Sequence, residues 1–276
     1  MARPIPATWR PTQLEELVEQ PFDTSMGTAK VKTNANFGYL KALGNRQGPH
    51  ALASEWVGSS LAAWFGLPIA EFAILHLEAI DCYPLPREAQ TQPGPAFVSR
   101  EIPGRTWGGS ADELRRLENP EDITRLVVFD NWIRNCDRHP PNFPDRKPNY
   151  ANVYLGHTEN PEKYRLYAID HTHCFDCGRE FTAKLSDIGK IRDDGVYGLF
   201  PEFRSFIDTS ELHWCKSMLK SITKENVRQI VEKIPSEWEV EQAMRIAIVE
   251  LVVQRAGYLA DKIENGWGVE WRTPSE

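Results

Sequence analysis

Apolar and polar positions divide the chain into two unlike halves. Near the start, TQLEELVEQP opens polar and stops at Pro21, which predicts one or two helical turns closing an N-terminal arm over 1–20. AKVKT and the run Phe37-Gly38-Tyr39-Leu40-Lys41-Ala42-Leu43 read as strands around a turn at Asn34-Ala35-Asn36, so a hairpin is expected. Over 50–65, Leu52, Trp56, Val57, Leu61 and Trp64 recur at helical spacing, and Gly66-Leu67-Pro68 ends the helix. IAEFAILHLEAI then reads as one strand or two. Strand, strand, helix, strand describes a small lobe over 21–83.

Residues 81–110 are rich in Pro and Gly, which places a lobe boundary there and predicts loops. A short helix is predicted over 111–117. Ile123, Leu126, Val127, Phe129 and Ile133 keep a helical period from Glu121 to about Arg134. The period then fails across 135–150. Two short strands follow, 152–155 and 164–169, linked by a turn at 158–161. Helical patterning returns near 211–219, 224–233 and 238–264. The second lobe, 84–276, is therefore mainly helical with one hairpin, and the expected fold class is α+β with two lobes.

Composition narrows the function classes. A net charge of -7 disfavours a general nucleic-acid surface, so no direct nucleic-acid binding is expected. No apolar run approaches bilayer-crossing length, and MARPIPATWRP lacks the continuous apolar stretch of a secretory signal. No membrane association and a cytoplasmic location are the expectations. Five cysteines, at 82, 136, 174, 177 and 215, are an odd number in a large chain, which reads as reduced thiols. His171-Thr172-His173-Cys174-Phe175-Asp176-Cys177 carries zinc-type ligands, but the spacing indicates no second ligand pair, and buried thiols are the plainer reading.

The polar residues that break the pattern form a constellation. A hairpin over 152–169 sets Asn152 beside Asp170 at one end, and the loop holding Asp137 enters at that end. Carboxylate and amide oxygens suit magnesium, which commonly bridges carboxylates to phosphates. Asp170 is the charged ligand in this reading, with an Asn adding an amide oxygen. Asp137 orients or deprotonates an attacking hydroxyl. Lys41, with Glu55 on the next helix to hold it, is the candidate cation for phosphate; such a pair is also common as surface decoration. Ser25-Met26-Gly27-Thr28 is the candidate phosphate loop, with one glycine and two hydroxyls.

The segment FDNWIRNCDRHPPN … NVYL … YRLYAIDHTHCF resembles the HipA-like kinase family, distant relatives of protein kinases and phosphatidylinositol kinases. Upstream, FGYLKALGN … LASEW … LAAWFGLPIAEFAI is similar to that family's strand lysine, Glu-bearing helix and Gly-Leu-Pro turn. The resemblance covers roughly 22–175 and extends more weakly to about 265. It implies a two-lobed protein-kinase-like fold, ATP and magnesium as cofactors, and a hydroxyl acceptor, foremost a protein Ser or Thr. Asp137 matches the catalytic-loop aspartate, flanked by Asn135 and His139 of the N-x-D-R-H motif. Asp170 matches the metal-binding aspartate, Lys41 the phosphate-contacting lysine and Glu55 its partner. Both Asn142, by its offset from Asp137, and Asn152, by its place before a strand, match the metal-binding asparagine; an apparent insertion, FPDRKPNYA, separates them, and Asn152 is preferred on backbone geometry.

Plainer roles stand beside these. Arg138 reads as a buried carboxylate partner, His139 as a loop brace, and His171 and His173 as local packers. Two rival functions remain. One is a non-catalytic nucleotide- or partner-binding protein on the same fold, for example a toxin–antitoxin component with an antitoxin-like partner. The other is a metal hydrolase using His139, His171, His173 and Asp170, although no HExxH-type spacing supports it.

Overall fold

The computed structural model describes residues 9–19, 21–24, 26–141, 145 and 147–271. Its N-terminal half is built on a five-stranded antiparallel sheet of β1 (Leu14–Leu17), β2 (Ala29–Thr33), β3 (Asn36–Lys41), β4 (Phe72–Leu77) and β5 (Gly94–Arg100), in the order β1-β2-β3-β5-β4. The expected hairpin is β2–β3, with Lys41 at the last position of β3. α1 (His50–Phe65) follows and ends at Gly66, whose φ of 88° needs a residue without a side chain.

Two segments differ from the sequence expectation. Leu14–Leu17 is a strand, not a helical turn. Four residues are too few to nucleate a helix alone, whereas pairing with β2 satisfies the backbone, buries Leu14 and sets Glu15 against Lys32 at 3.1 Å. Gly94–Arg100, expected to be loop, is a central strand between β3 and β4, so the sheet extends on both sides of 21–83. Its Pro95 lies at the strand's start, where a missing N–H is tolerated.

The sheet's two faces alternate as a period of two requires. Ala96 and Val98 join Val31, Leu40, Leu75 and Trp9 in one cluster, while Phe97 joins the larger cluster containing α1. That larger core runs on into the C-terminal half. Phe65 of α1 lies 5.9 Å from Phe129, 5.6 Å from Trp132 and 5.5 Å from Trp214, ring centre to ring centre. α1 is thus rooted in the helical half while packing beneath the sheet.

The C-terminal half is mainly helical. A three-stranded sheet, β6 (Gly104–Thr106), β7 (Val153–His157) and β8 (Tyr164–Ala168), supplies the expected hairpin as β7–β8. Around it lie α2 (Ala111–Leu114), α3 (Glu121–Ile133), the single turns α4 (Cys174–Cys177) and α5 (Ile188–Ile191), then α6 (Thr209–Ser221), α7 (Lys224–Val231) and α8 (Gln242–Glu264). α3 is the most buried, with eleven of its side chains inside. Arg255 of α8 is fully buried and donates to the carbonyls of Asn131, Lys190, Ile191 and Asp193, which satisfies the ends of α3 and α5. Among the described residues no helix is long and apolar enough to cross a membrane.

Candidate active site

A cleft of about 720 Å³ opens between the halves, lined by Lys41, Glu55, Asp137, Asn152 and Asp170 among others. This is the size of a small-molecule site. Apolar residues, including Ile69, Phe72, Phe97 and Ile102, line the rest of it.

The Asp137 loop is placed by α3. That helix ends at Arg134 in the left-handed region (φ 55°), which a non-glycine residue adopts at a cost. Arg134 is held there by Asp193, at 2.8 and 2.9 Å, and by donating to the Phe175 carbonyl at 2.6 Å. The chain then turns through Asn135, whose side chain accepts from the Asp137 N–H and donates to Asp130.

Arg138 makes the loop and the hairpin one unit. Fully buried, it pairs with Asp130 at 2.7 Å and donates to the carbonyls of Asn152 and Ile169. Those carbonyls lie just before β7 and just after β8, so one guanidinium ties Asp137 to both ends of the hairpin. Burial pushes the Asp130 carboxyl up to about 6 despite the Arg138 charge. The reading of Arg138 as a buried carboxylate partner names this pair.

Asp137 faces the cleft. Its Oδ2 accepts from Asn152 Nδ2 at 2.7 Å and from Asn149 Nδ2 at 3.1 Å. Asn149 also donates to Asn152 Oδ1 at 3.1 Å. Sequence reasoning missed Asn149, which sits in the apparent insertion. Its signal was its spacing, three residues before Asn152 across the single 3-10 turn Tyr150–Asn152.

Lys41 gathers the other side. Its Nζ lies 2.9 Å from Glu55 Oε2, 3.1 Å from Asp170 Oδ1 and 3.1 Å from Thr172 Oγ1. Lys41 is 7% exposed and Glu55 4%, which rules out a surface pair. Glu55 Oε2 also accepts from the His171 N–H and from Thr172 Oγ1. Burial pushes the Lys41 amine down, but Asp170 and Glu55 outweigh it and hold the group an ammonium, above its usual range. Enclosure likewise pushes Asp170 up, yet the Lys41 charge and the Thr172 hydrogen bond keep its carboxyl well below the usual range. Asp170, in the left-handed region at φ 56°, takes its hydrogen bonds on Oδ1. Its side chain stays 37% exposed to the cleft.

The residue after Asp170 anchors it. His171 is buried, packs edge-on against Phe129 and meets Ser59 Oγ at 3.2 Å. Burial and the nearby Arg138 push its ring down to about 3, so it is neutral. Gly58 of α1 makes the room: a Cβ there would sit 2.4 Å from His171 Cβ. His173 lines the cleft and bonds Gln47 at 2.6 Å.

Some predicted residues fall elsewhere. Asn135 is fully buried and braces the loop rather than facing the cleft. His139 packs edge-on against Phe200, 9% exposed, with burial pushing its ring down; it too supports the loop from behind. Met26 and Thr28 line the cleft. Gly27, between them, has φ 57° and lies against Leu85, and its N–H is taken by Thr24 within the turn. Ser25 and Asn142 lie outside the described residues.

The expectation of reduced thiols is corrected at one pair: Cys136 and Cys177 are bonded, with Cα atoms 5.5 Å apart. The odd count argued against a disulfide scaffold and was silent on one bridge between loops that only the fold brings together. Cys82, Cys174 and Cys215 are free. Among the described residues no group of three or more His, Cys, Asp or Glu is placed to hold a metal ion. Asp137, Asn152 and Asp170 line one cleft, and carboxylate and amide oxygens are the ligand types that magnesium takes alongside phosphates and water.

A model of the HipA-like kinase family matches residues 31–265. Among solved structures, a Helicobacter pylori proinflammatory kinase, CtkA, is similar at a TM-score of 0.58 and 12% identity, over 92% of this chain and 95% of that one. At that identity the likeness speaks for the fold alone. A Golgi casein kinase gives a TM-score of 0.47 at 11% identity, over 97% and 76%, too loose to argue from. Among curated proteins none matches.

Proposed function

Because the chain belongs to the HipA-like kinase family, we propose that its cleft binds ATP with magnesium and transfers a phosphoryl group to a hydroxyl acceptor, foremost a Ser or Thr of a protein. The observation that carries this is the Lys41 ammonium held between Glu55 and Asp170 in the same cleft as an Asp137 carboxylate braced by Asn152.

Each residue then has one task. Lys41, kept charged, donates to phosphate oxygens, and Glu55 fixes its position. Asp170 and Asn152 offer oxygen ligands for the metal. Asp137 orients the acceptor hydroxyl and takes its proton on a carboxylate oxygen. Met26 and Thr28 cover the phosphates. Magnesium, when bound, offsets phosphate charge and steadies the transferring group. Arg138 and Asn135 hold Asp137 in line without touching substrate. Such chemistry depends on positioning and charge more than on covalent steps, which suits a site built from tethered side chains.

Titration calorimetry with ATP and magnesium tests the binding half. Wild type binds only with the metal present, and Asp170→Ala loses the metal dependence; equal binding with and without magnesium in both proteins refutes the assignment.

One observation favours a second reading. The Gly27 N–H is already used inside its own turn, so the loop offers fewer free amides to phosphate than a glycine-rich loop does. A nucleotide-binding protein without turnover, acting through an antitoxin-like protein partner, fits that feature. The two part on turnover: such a protein binds ATP and never consumes it.

A further inference from the structure

We propose that the Cys136–Cys177 bond is a thiol-sensitive clamp that fixes the Asp137 loop against the segment following Asp170, with Cys177 as the point of exchange. Cys136 immediately precedes Asp137, and Cys177 lies seven residues beyond Asp170. The bond therefore joins the two loops whose carboxylates share the cleft.

The segment it holds does not rest in a preferred backbone conformation. Phe175 (φ 66°) and Cys177 (φ 55°) both occupy the left-handed region, and helical geometry is broken inside α4. Non-glycine residues leave that region when nothing holds them. Besides the sulfur bond, the segment is held by Arg134 to the Phe175 carbonyl, by Lys190 to Asp176 at 2.7 Å, and by the enclosed side chains of Cys174 and Phe175. His173, on the same segment, lines the cleft and reaches Gln47 across it. Loss of the sulfur tether frees the 176–178 end of the segment to relax and loosens His173 at the cleft wall, while Cys174 and Phe175 stay enclosed.

Access sets the chemistry. Cys136 is 2% exposed, whereas Cys177 is half-buried. A thiolate of the glutathione class attacks Cys177 Sγ. The protein S–S bond breaks, Cys136 leaves as a thiolate, and a mixed disulfide forms on Cys177. A second small thiol attacks the mixed disulfide and releases Cys177 as a thiolate with the small-molecule disulfide. Two electrons pass from the two small thiols to the protein, and their protons end on Cys136 and Cys177. In the bridged structure Cys136 Sγ lies 3.6 Å from the His173 carbonyl. Cys174 stays out of the exchange, fully enclosed and with its thiol pushed up by burial.

The bridged state is the assembled one, since the cleft residues converge in it. The effect on nucleotide rests on the proposed function; the clamp itself does not. The test is hydrogen exchange on the full chain, purified without reductant, then treated with a glutathione titration. Before reduction, a peptide cross-linked through Cys136 and Cys177 is recovered by mass spectrometry. On reduction, amides of 176–178 exchange faster by about tenfold or more, as expected for a locally released segment. Cys177→Ser starts at the faster rate and ignores glutathione; Cys136→Ser does the same and serves if the first variant folds poorly. Cys82→Ser responds like wild type. In parallel, affinity for ATP with magnesium falls by about fivefold on reduction, the low end of coupling between sites. No cross-linked peptide, or exchange that reduction leaves unchanged, overturns the clamp. Absence of ATP binding in both redox states, with exchange still responsive, counts against the kinase reading and leaves the clamp standing.

Discussion

Gly58→Ala sets helix propensity against packing at the anchor of Asp170. In an unobstructed helix the change is favourable by about 1 kcal/mol, because alanine gives up less backbone freedom. At Gly58 the added carbon would sit 2.4 Å from His171 Cβ and 2.9 Å from Cγ. Carbon atoms pack at about 3.5–4.0 Å, so the shortfall exceeds about 1 Å. His171 Cβ cannot swing away as a side-chain tip can, and its ring is confined by Phe129 and Ser59. Overpacking of this kind costs about 1–3 kcal/mol, with the upper end expected where backbone must move. The net loss is therefore about 1–2 kcal/mol. Gly257→Ala is the matched control, because nothing lies within 4 Å of that position on α8. It gains up to about 1 kcal/mol. Urea denaturation of both variants measures the gap, which should be about 2–3 kcal/mol between them. Gly58→Ala also displaces Asp170, weakening magnesium-dependent ATP binding by about tenfold, an effect of about 1.4 kcal/mol. Equal stability changes in the two variants would refute the packing argument.

Lys41→Met strands the buried Glu55 carboxylate and destabilises the nucleotide-free protein by about 3 kcal/mol, of which Lys41→Met/Glu55→Gln recovers about half in chemical denaturation. Arg138→Met leaves Asp130 buried without its cation and costs about 3–5 kcal/mol; pairing it with Asp130→Leu reduces the loss, read as a double-mutant cycle. Burial pushes the Asp193 carboxyl up, but hydrogen bonds from Tyr197, Gly195 and Arg134 outweigh it and hold the group below its ordinary value. The unfolded chain thus takes up a proton that the folded chain refuses. Asp193 contributes stability that is present above pH 3.8 and lost as the pH falls below it. Asp193→Asn flattens that acid limb in pH-dependent denaturation, and an unchanged limb would contradict the assignment.

The parts legible in the sequence are those where a strong period met a short polar interruption. α3 and the β7–β8 hairpin carry unambiguous apolar patterns, so the residues that break them, Asp137, Asn152 and Asp170, were visible as a group. The Lys41–Glu55 pair was nameable, but its burial was not, because a Lys and a Glu read alike on a surface and in a core. Leu14 and Leu17 are three apart, a spacing shared by a helical turn and a bulged edge strand, and only pairing with β2 decides between them. β5 hid behind Pro93 and Pro95, which signal loops wherever strand context is unknown. Asn149 and the Cys136–Cys177 bond depend on loops meeting across the fold, 12 residues from Asp137 in one case and 41 residues between sulfurs in the other. His171 gave no periodic signal; its burial follows from a glycine on a helix more than a hundred residues earlier.

Transfer of the terminal phosphate of labelled ATP tests the central claim most directly, with wild type and Asp137→Asn measured side by side. Asparagine keeps the shape that Asn149 and Asn152 hold, so the variant's stability stays within about 1 kcal/mol of wild type. The account predicts magnesium-dependent transfer to a Ser or Thr by wild type and a drop of at least about a hundredfold in Asp137→Asn, the size of a lost acid–base group. Equal rates in the two proteins would contradict it.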